Sequence, residues 1–310
     1  MNFNKPKFWD TKFNLITFFL IPFSIITFVI IFLRKKIIKK INFNLPIICV
    51  GNIYLGGTGK TPLSIFIAKE LLRIGKKPLI VRKFYNSHLD EHSLIKKEFK
   101  NFLLCENRVS GIFKAKQRNF DTVILDDGFQ DYKIKKNLNI ICFNQRQLIG
   151  NGLLLPAGPL RESLSSLKKA QLVLINGKRN IKFERKILKI NKNLSIFYSC
   201  YKPINIHKFK KKKLYAIAGI GNPNNFFQTL KDFNLDVKKK FFFPDHYQFS
   251  KNEILKIIEE AKDNNCKVIM TEKDYYRIKK INNRNLEYLK VSLEIKNKKK
   301  FIDKILEAYA

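Results

Sequence analysis

The amino-acid sequence predicts an α/β protein with three parts: a P-loop NTPase-like domain built on a parallel sheet, a second, smaller α/β domain and an N-terminal hydrophobic membrane helix. Short apolar runs alternate with helical patterns along most of the 310 residues, as in parallel sheets covered by helices. One apolar run leads directly into a glycine-rich loop, and a stretch of 19 uncharged residues lies near the N-terminus. The pattern changes near residue 200, where we expect the second domain to begin.

The uncharged stretch, residues 15–33, has the length and composition of a helix that either crosses a membrane or inserts shallowly into it. As a helix it would extend about 28 Å, close to the roughly 30 Å of a bilayer's hydrocarbon core. A cleaved signal peptide is the alternative, but a basic segment follows, residues 34–40, and not a cleavage site with small residues. Positive charge favours the cytoplasmic side, so we expect the rest of the chain in the cytoplasm.

The glycine-rich loop follows residues 47–50, which predict a buried strand. A strand, a glycine loop and a helix in this order cradle a phosphate, because backbone N–H groups point inward and the helix N-terminus adds positive charge. Lys60 would reach the β- and γ-phosphates of a nucleotide, and the Thr61 hydroxyl would bind Mg²⁺. Tyr54 replaces the first glycine of the usual motif, so an ordinary glycine turn is the alternative. The residues expected to hold the phosphates are Gly56, Gly57, Thr58, Gly59, Lys60 and Thr61.

Two further segments carry side chains suited to metal and phosphate. An apolar run ends in Asp126 and Asp127, and a carboxylate at such a strand end orders the Mg²⁺ shell in P-loop proteins. Residues 150–162 form a loop rich in glycine and proline that closes with Arg161 and Glu162. Arg161 could clamp a phosphate and Glu162 could reach the metal. An ion pair at a helix start is the alternative for both.

Composition adds a weaker indication. Lysine and arginine number 61 against 25 acidic residues, so the formal net charge is +36. Such an excess suits a polyanionic partner, whether nucleic acid, an anionic lipid surface or a phosphorylated substrate. The five cysteines show no C-x-x-C spacing, which is typical of buried free thiols rather than of disulfides or zinc ligands.

We expect the chain to be divided into three regions. These are an anchoring helix with its basic flank (1–40), a P-loop domain (41–200), and a linker with the smaller domain (201–310).

Taken together, the motifs resemble those of the tetraacyldisaccharide 4'-kinases of lipid A synthesis, over nearly the whole chain. The matching segments are VGNIYLGGTGKTP (50–62), LDDGFQ (125–130), GNGLLLPAGPLRE (150–162), AGIGNP (218–223), DH (245–246) and TEKD (271–274). The segment after Arg82 departs from the family pattern, with Lys83, Phe84 and Tyr85 in place of Gly-Tyr-Gly and His92 in place of a proline.

The resemblance implies a phosphotransferase at the cytoplasmic face of the inner membrane. It would use ATP and Mg²⁺ to phosphorylate the 4'-hydroxyl of the acylated glucosamine disaccharide 1-phosphate precursor of lipid A. The resemblance gives Asp90 the role of base and His246 that of its partner. Because His246 lies in the second domain, we expect this pair to form only when the domains approach. Membrane lipids are the other expected partners, with no nucleic acid and no obligate protein partner.

Two other functions explain less of the sequence. A membrane-associated ATPase switch of the deviant Walker A kind would carry a lysine where Leu55 stands. A nucleic-acid-binding protein would account for the net charge, but the sequence has no recognisable recognition element and the phosphate loop would go unexplained.

Overall fold

The computed structural model describes residues 6–11, 14–85, 89–245, 247–278, 281 and 283–309, with only the backbone of Leu89 and Asp90. The chain folds into two compact units. The larger contains most of the chain up to Phe84, then Glu98–Cys200 and the residues from Leu293 onward. The smaller contains Tyr85–Lys97 and Tyr201–Ser292.

Twelve strands and nine α-helices occur in the described residues. The strands are β1 (Ile47–Gly51), β2 (Pro78–Lys83), β3 (Phe102–Cys105), β4 (Thr122–Asp126), β5 (Leu138–Asn144), β6 (Leu172–Asn176), β7 (Ser195–Pro203), β8 (Lys213–Ala218), β9 (Asp236–Phe242), β10 (Cys266–Thr271), β11 (Leu286–Leu289) and β12 (Val291–Ile295). The helices are α1 (Leu15–Ile37), α2 (Lys60–Arg73), α3 (Leu89–Glu98), α4 (Arg108–Gln117), α5 (Ile181–Leu188), α6 (Pro223–Asp232), α7 (Lys251–Asp263), α8 (Glu272–Arg277) and α9 (Lys298–Leu306).

The large sheet has eight strands in the order β12-β7-β6-β5-β1-β4-β2-β3, and the pairs from β7 to β3 are all parallel. Every residue of β1 is buried, as expected for a central strand of a parallel sheet covered on both faces. In register, Asp126 lies beside Val50 on one side and beside Arg82 on the other. The carboxyl ends of β1, β2 and β4 therefore bring their polar side chains to one edge of the sheet.

The smaller unit is built on a four-stranded parallel sheet in the order β11-β10-β8-β9. Alternate residues of β8 contribute to two different apolar clusters, one with α7 and one with α6. This sheet is thus covered on both faces by helices. The predicted α/β class, with a large parallel sheet and a second, smaller α/β unit, is confirmed.

The N-terminal helix α1 covers the uncharged stretch and continues into the basic residues that follow it. By length and composition it is the one helix among the described residues that could cross a membrane. Its large apolar side chains are exposed, whereas its buried residues are Thr17 and Ser24. A helix with an apolar outer surface and a polar buried stripe is suited to lipid on one side and protein on the other.

The observed units differ from the contiguous ranges expected from the sequence. Most of α3 belongs to the smaller unit, although it follows β2 of the large sheet. The last residues return to the larger unit, because β12 pairs with β7 and Phe301 of α9 packs against Phe66 and Phe197. Both differences from the expected ranges depend on packing between residues far apart in the sequence.

Candidate active site

The loop between β1 and α2, residues 52–59, contains the glycines that we expect to hold phosphates. Gly59 precedes α2 with φ of 87° and Gly56 has φ of 127°, values that favour glycine. The Asn52 amide donates to the Gly56 carbonyl at 3.2 Å and to the Thr58 hydroxyl at 3.0 Å. Gln130 in turn donates to the Asn52 carbonyl at 2.8 Å. Asn52 and Gln130 therefore hold the shape of the loop, a role that the sequence pattern alone did not assign to them.

Asp126 lies at the end of β4, fully buried, and accepts three hydrogen bonds from neighbouring elements. Thr61 and Ser64 of α2 each donate a hydroxyl at 3.0 Å, and Arg82 of β2 forms an ion pair with the same carboxylate. Arg82 also donates to the Thr61 hydroxyl at 3.0 Å. A buried carboxylate needs such compensation. In this arrangement Asp126 orients the Thr61 hydroxyl by accepting its hydrogen bond.

Asp127, the next residue, lies among cations. Its carboxylate is 3.6 Å from the Lys60 ammonium and 3.4 Å from the Arg161 guanidinium, and Arg108 donates to its carbonyl at 2.7 Å. Burial would raise the pKa of Asp127, but the surrounding charges, Lys60 foremost, hold that pKa well below its usual range. Asp127 is therefore ionised at neutral pH. Its φ of 57° is an uncommon backbone conformation for a residue other than glycine.

Glu162 has other partners. Its carboxylate accepts a hydrogen bond from Lys35 of α1 at 2.5 Å and one from Ser166 at 2.6 Å. Burial and the nearby Glu162 charge raise the pKa of Tyr132 above its usual value. Within the described part of the chain, these contacts pair Glu162 with the N-terminal helix and not with Thr61, Asp126 or Asp127. Its role as a metal ligand stays a prediction.

Comparisons with known proteins identify the family of this chain. A model of the tetraacyldisaccharide-1-P 4'-kinase family matches residues 16–101 and 88–310. A tetraacyldisaccharide 4'-kinase of Pelagibacter ubique is 40% identical over an alignment of 313 positions, which covers 99% of this chain and 98% of that protein. This chain belongs to the tetraacyldisaccharide 4'-kinase family.

Two further members of the family are less similar to this chain than that protein. The tetraacyldisaccharide 4'-kinases of Francisella tularensis subsp. novicida and Rickettsia akari are 32% and 31% identical, over 93% and 97% of this chain and 98% and 96% of their own. The fold is similar to that of LpxK from Aquifex aeolicus, crystallised in complex with ATP. The TM-score is 0.73 at 24% identity, over 96% of this chain and 100% of that one. The family resemblance drawn from the motifs is confirmed.

The family resemblance assigns proton transfer to Asp90 and His246, and neither side chain is among those that the structure describes. Asp90 lies in the first turn of α3, with its side chain outside the described residues, and His246 lies outside them altogether. Their sequence neighbours are described, and Lys273 pairs with both: its ammonium is 3.0 Å from Glu91 and 3.7 Å from Asp245.

The expectation that Asp90 and His246 pair only when two domains approach stays a prediction, because it falls outside the described side chains; their described neighbours Glu91 and Asp245 both contact Lys273. Residues 85–97 and 201–292 belong to the same compact unit. In this unit Lys97 of α3 donates to the Tyr288 hydroxyl at 3.2 Å and lies 4.6 Å from the centre of the Tyr276 ring. These contacts attach α3 to the smaller sheet.

Proposed function

We propose that this kinase transfers the γ-phosphate of ATP to the 4'-hydroxyl of a tetraacyldisaccharide 1-phosphate, the acylated precursor of lipid A. One observation carries the proposal: in a chain of this family, Lys60 and Arg161 converge on Asp127 beside a glycine phosphate loop. Phosphoryl transfer depends almost entirely on positioning and charge stabilisation. Two cations held in place by one carboxylate, next to backbone N–H groups, supply both.

Each residue then has a defined task. The loop containing Gly56, Gly57, Thr58 and Gly59 would hold the phosphates through its backbone, with Lys60 on the β- and γ-phosphate oxygens. Arg161 would contact the migrating phosphoryl group, whose charge spreads over its oxygens in the transition state. Because Asp127 already attracts both cations, they are oriented before a nucleotide arrives.

The donor set fits magnesium. When bound, Mg²⁺ would supply positive charge that neutralises the charge developing on the phosphate during transfer. It commonly takes only one or two carboxylates, with phosphates and water completing the shell. No cluster of three or more His, Cys, Asp or Glu side chains suited to a metal occurs among the described residues, and this ion does not require one. Thr61 and Asp127 are the residues we expect to hold it, with Asp126 orienting Thr61.

Transfer forms a bond between the sugar oxygen and the γ-phosphorus and breaks the bond from that phosphorus to the bridging oxygen, which leaves with ADP. The hydroxyl proton needs an acceptor. Asp90 is the candidate base and His246 its partner. What supports this pairing is the Lys273 ammonium, which holds the neighbouring residues Glu91 and Asp245 in one unit.

Helix α1 would hold the enzyme at the membrane that contains its lipid acceptor. Its apolar outer surface and the basic residues at its end support an anchor with Arg34, Lys35 and Lys36 on the cytoplasmic side of the inner membrane. The family resemblance adds that the catalytic units face the cytoplasm.

The direct test uses γ-labelled ATP, Mg²⁺ and detergent-solubilised tetraacyldisaccharide 1-phosphate. We expect the label in a lipid product, on the 4'-oxygen. ATP hydrolysis without labelled lipid would contradict the proposal and favour an ATPase switch. Salt-sensitive binding of nucleic acid without transfer would favour the nucleic-acid-binding alternative.

A further inference from the structure

The buried stripe of α1 is made of polar side chains that face the rest of the larger unit, to which α1 itself belongs. Thr17, Ser24 and Lys35 are separated by 7 and 11 residues, close to two and three whole helical turns, so they lie on one side of the helix. Thr17 and Ser24 are buried, and the Lys35 side chain is about one-fifth exposed. A helix that served only as an anchor would need no such stripe.

Ser24 attaches this stripe to the loop at residues 150–162. Its hydroxyl donates to the Leu154 carbonyl at 2.8 Å and accepts from the Ala157 N–H at 3.1 Å. One side chain of α1 therefore satisfies two backbone groups of the loop. Trp9, before the helix, adds a third contact by donating to the Pro156 carbonyl at 3.0 Å.

Lys35 attaches the end of the same loop. Its ammonium donates to Glu162 at 2.5 Å and to the Ser166 hydroxyl at 3.1 Å, and Glu162 is only 1% exposed. A buried carboxylate that loses its cation is left uncompensated, which is strongly destabilising locally. The position of Glu162 therefore depends on Lys35.

The loop continues from α1 to the phosphate site. The Leu55 N–H of the phosphate loop donates to the Pro159 carbonyl at 2.8 Å, and the Arg161 N–H donates to the Ile53 carbonyl at 2.8 Å. Arg161, next to Glu162, contacts Asp127 at 3.4 Å. Residues 150–162 are thus bonded to the N-terminal helix by some of their groups and to the phosphate loop by others.

We propose that α1 is a structural part of the transfer site, with Ser24 and the Lys35–Glu162 pair acting as positioning residues that fix the loop carrying Arg161. This inference rests on the proposed function for its effect on catalysis. It assigns to Glu162 attachment of the membrane helix instead of metal binding. The helix and the site then form one rigid connection from the bilayer to the migrating phosphate.

The effect on catalysis is measured with the full-length enzyme in detergent. Lys35→Ala and Ser24→Ala are expected to lower kcat by about tenfold to a hundredfold, as a misplaced catalytic group does, with little change in the KM for ATP. Lys35→Arg should restore most of the loss, because it keeps the charge. Thr27→Ala is the matched control, since the Thr27 hydroxyl of the same helix is partly buried and donates within its own turn, to the Phe23 carbonyl at 3.0 Å.

The same variants distinguish attachment from metal binding. Glu162→Gln should lower kcat as Lys35→Ala does, the double variant should be little worse than either single one, and the Mg²⁺ concentration for half-maximal rate should not change. A raised Mg²⁺ requirement in Glu162→Gln together with wild-type kcat in Lys35→Ala would overturn the proposal.

Hydrogen exchange gives a readout that does not depend on turnover. Exchange of the amides in residues 153–162 should accelerate in Ser24→Ala and Lys35→Ala and stay unchanged in Thr27→Ala. Unchanged exchange in both would overturn the attachment. Accelerated exchange in an enzyme whose wild type transfers no phosphate would support the attachment and refute the proposed function instead.

Discussion

Arg82 and Asp126 form an ion pair that is almost completely buried, with side chains 2% and 0% exposed. Replacing Arg82 with alanine would leave a buried carboxylate without its cation, so we expect a loss of about 3–5 kcal/mol of stability. Thermal unfolding in detergent measures it, and Arg73→Ala is the control. Arg73 is 68% exposed in its pair with Glu70, and such pairs contribute about 1 kcal/mol or less. Equal unfolding temperatures for the two variants would contradict this account of the pair.

Asp127 is the carboxylate nearest the two cations of the site. In Asp127→Asn we expect turnover to fall and the Mg²⁺ concentration for half-maximal rate to rise, because a neutral amide is a poorer ligand for a hard cation. A titration of transfer rate against Mg²⁺ at saturating ATP measures both. A normal titration curve at normal turnover would return Asp127 to a purely structural role.

At the scale of elements, Lys273 of α8 joins the first turn of α3 to the segment after β9. We expect Lys273→Ala to lower kcat by about tenfold or more while the KM for ATP changes little, because the segments carrying Asp90 and His246 lose their shared partner. Lys273→Arg should rescue the rate. Lys267→Ala is the matched control, since Lys267 pairs with Glu287 at 3.0 Å elsewhere in the same unit. Equal kcat in the Lys273 and Lys267 alanine variants would refute this role.

At the scale of the whole molecule, the N-terminal helix should affect both the membrane location of the enzyme and its rate of transfer. Deleting residues 1–33 is expected to move the protein from the membrane fraction to the soluble fraction. It should raise the KM for lipid more than the KM for ATP and also lower kcat, since Ser24 is lost. Fractionation and steady-state kinetics measure these changes. A truncated protein that stays in the membrane after a high-salt wash would show that another surface is the anchor.

Local patterns made much of this molecule predictable. The apolar run, the glycines and Lys60 follow one another in the sequence, and the uncharged stretch at residues 15–33 coincides with most of α1. Such features depend on neighbouring residues, whose spacing is visible without a fold. The family motifs added the substrate class, which no periodicity could supply.

Other features depend on interactions between distant residues. Lys35 and Glu162 are separated by 127 positions, and no spacing rule connects a membrane helix with a glycine-rich loop. Likewise, residues 89–98 fall within the range 41–200 expected for the P-loop domain, whereas most of α3 belongs to the smaller unit. The roles of Asn52 and Gln130 depend on the folded conformation of the phosphate loop, which brings each side chain to its hydrogen-bond partner.

The central claim is that Lys60 stabilises a phosphoryl group in transfer to lipid, and kcat of Lys60→Ala in the labelled-ATP assay tests it most directly. Loss of such a group commonly costs about 10²–10³ in kcat, and we expect at least this. Lys69→Ala, on the same helix but paired with Glu98 at 2.5 Å, should transfer phosphate at close to the wild-type rate. A Lys60→Ala enzyme that labels the 4'-oxygen as fast as Lys69→Ala would contradict the account.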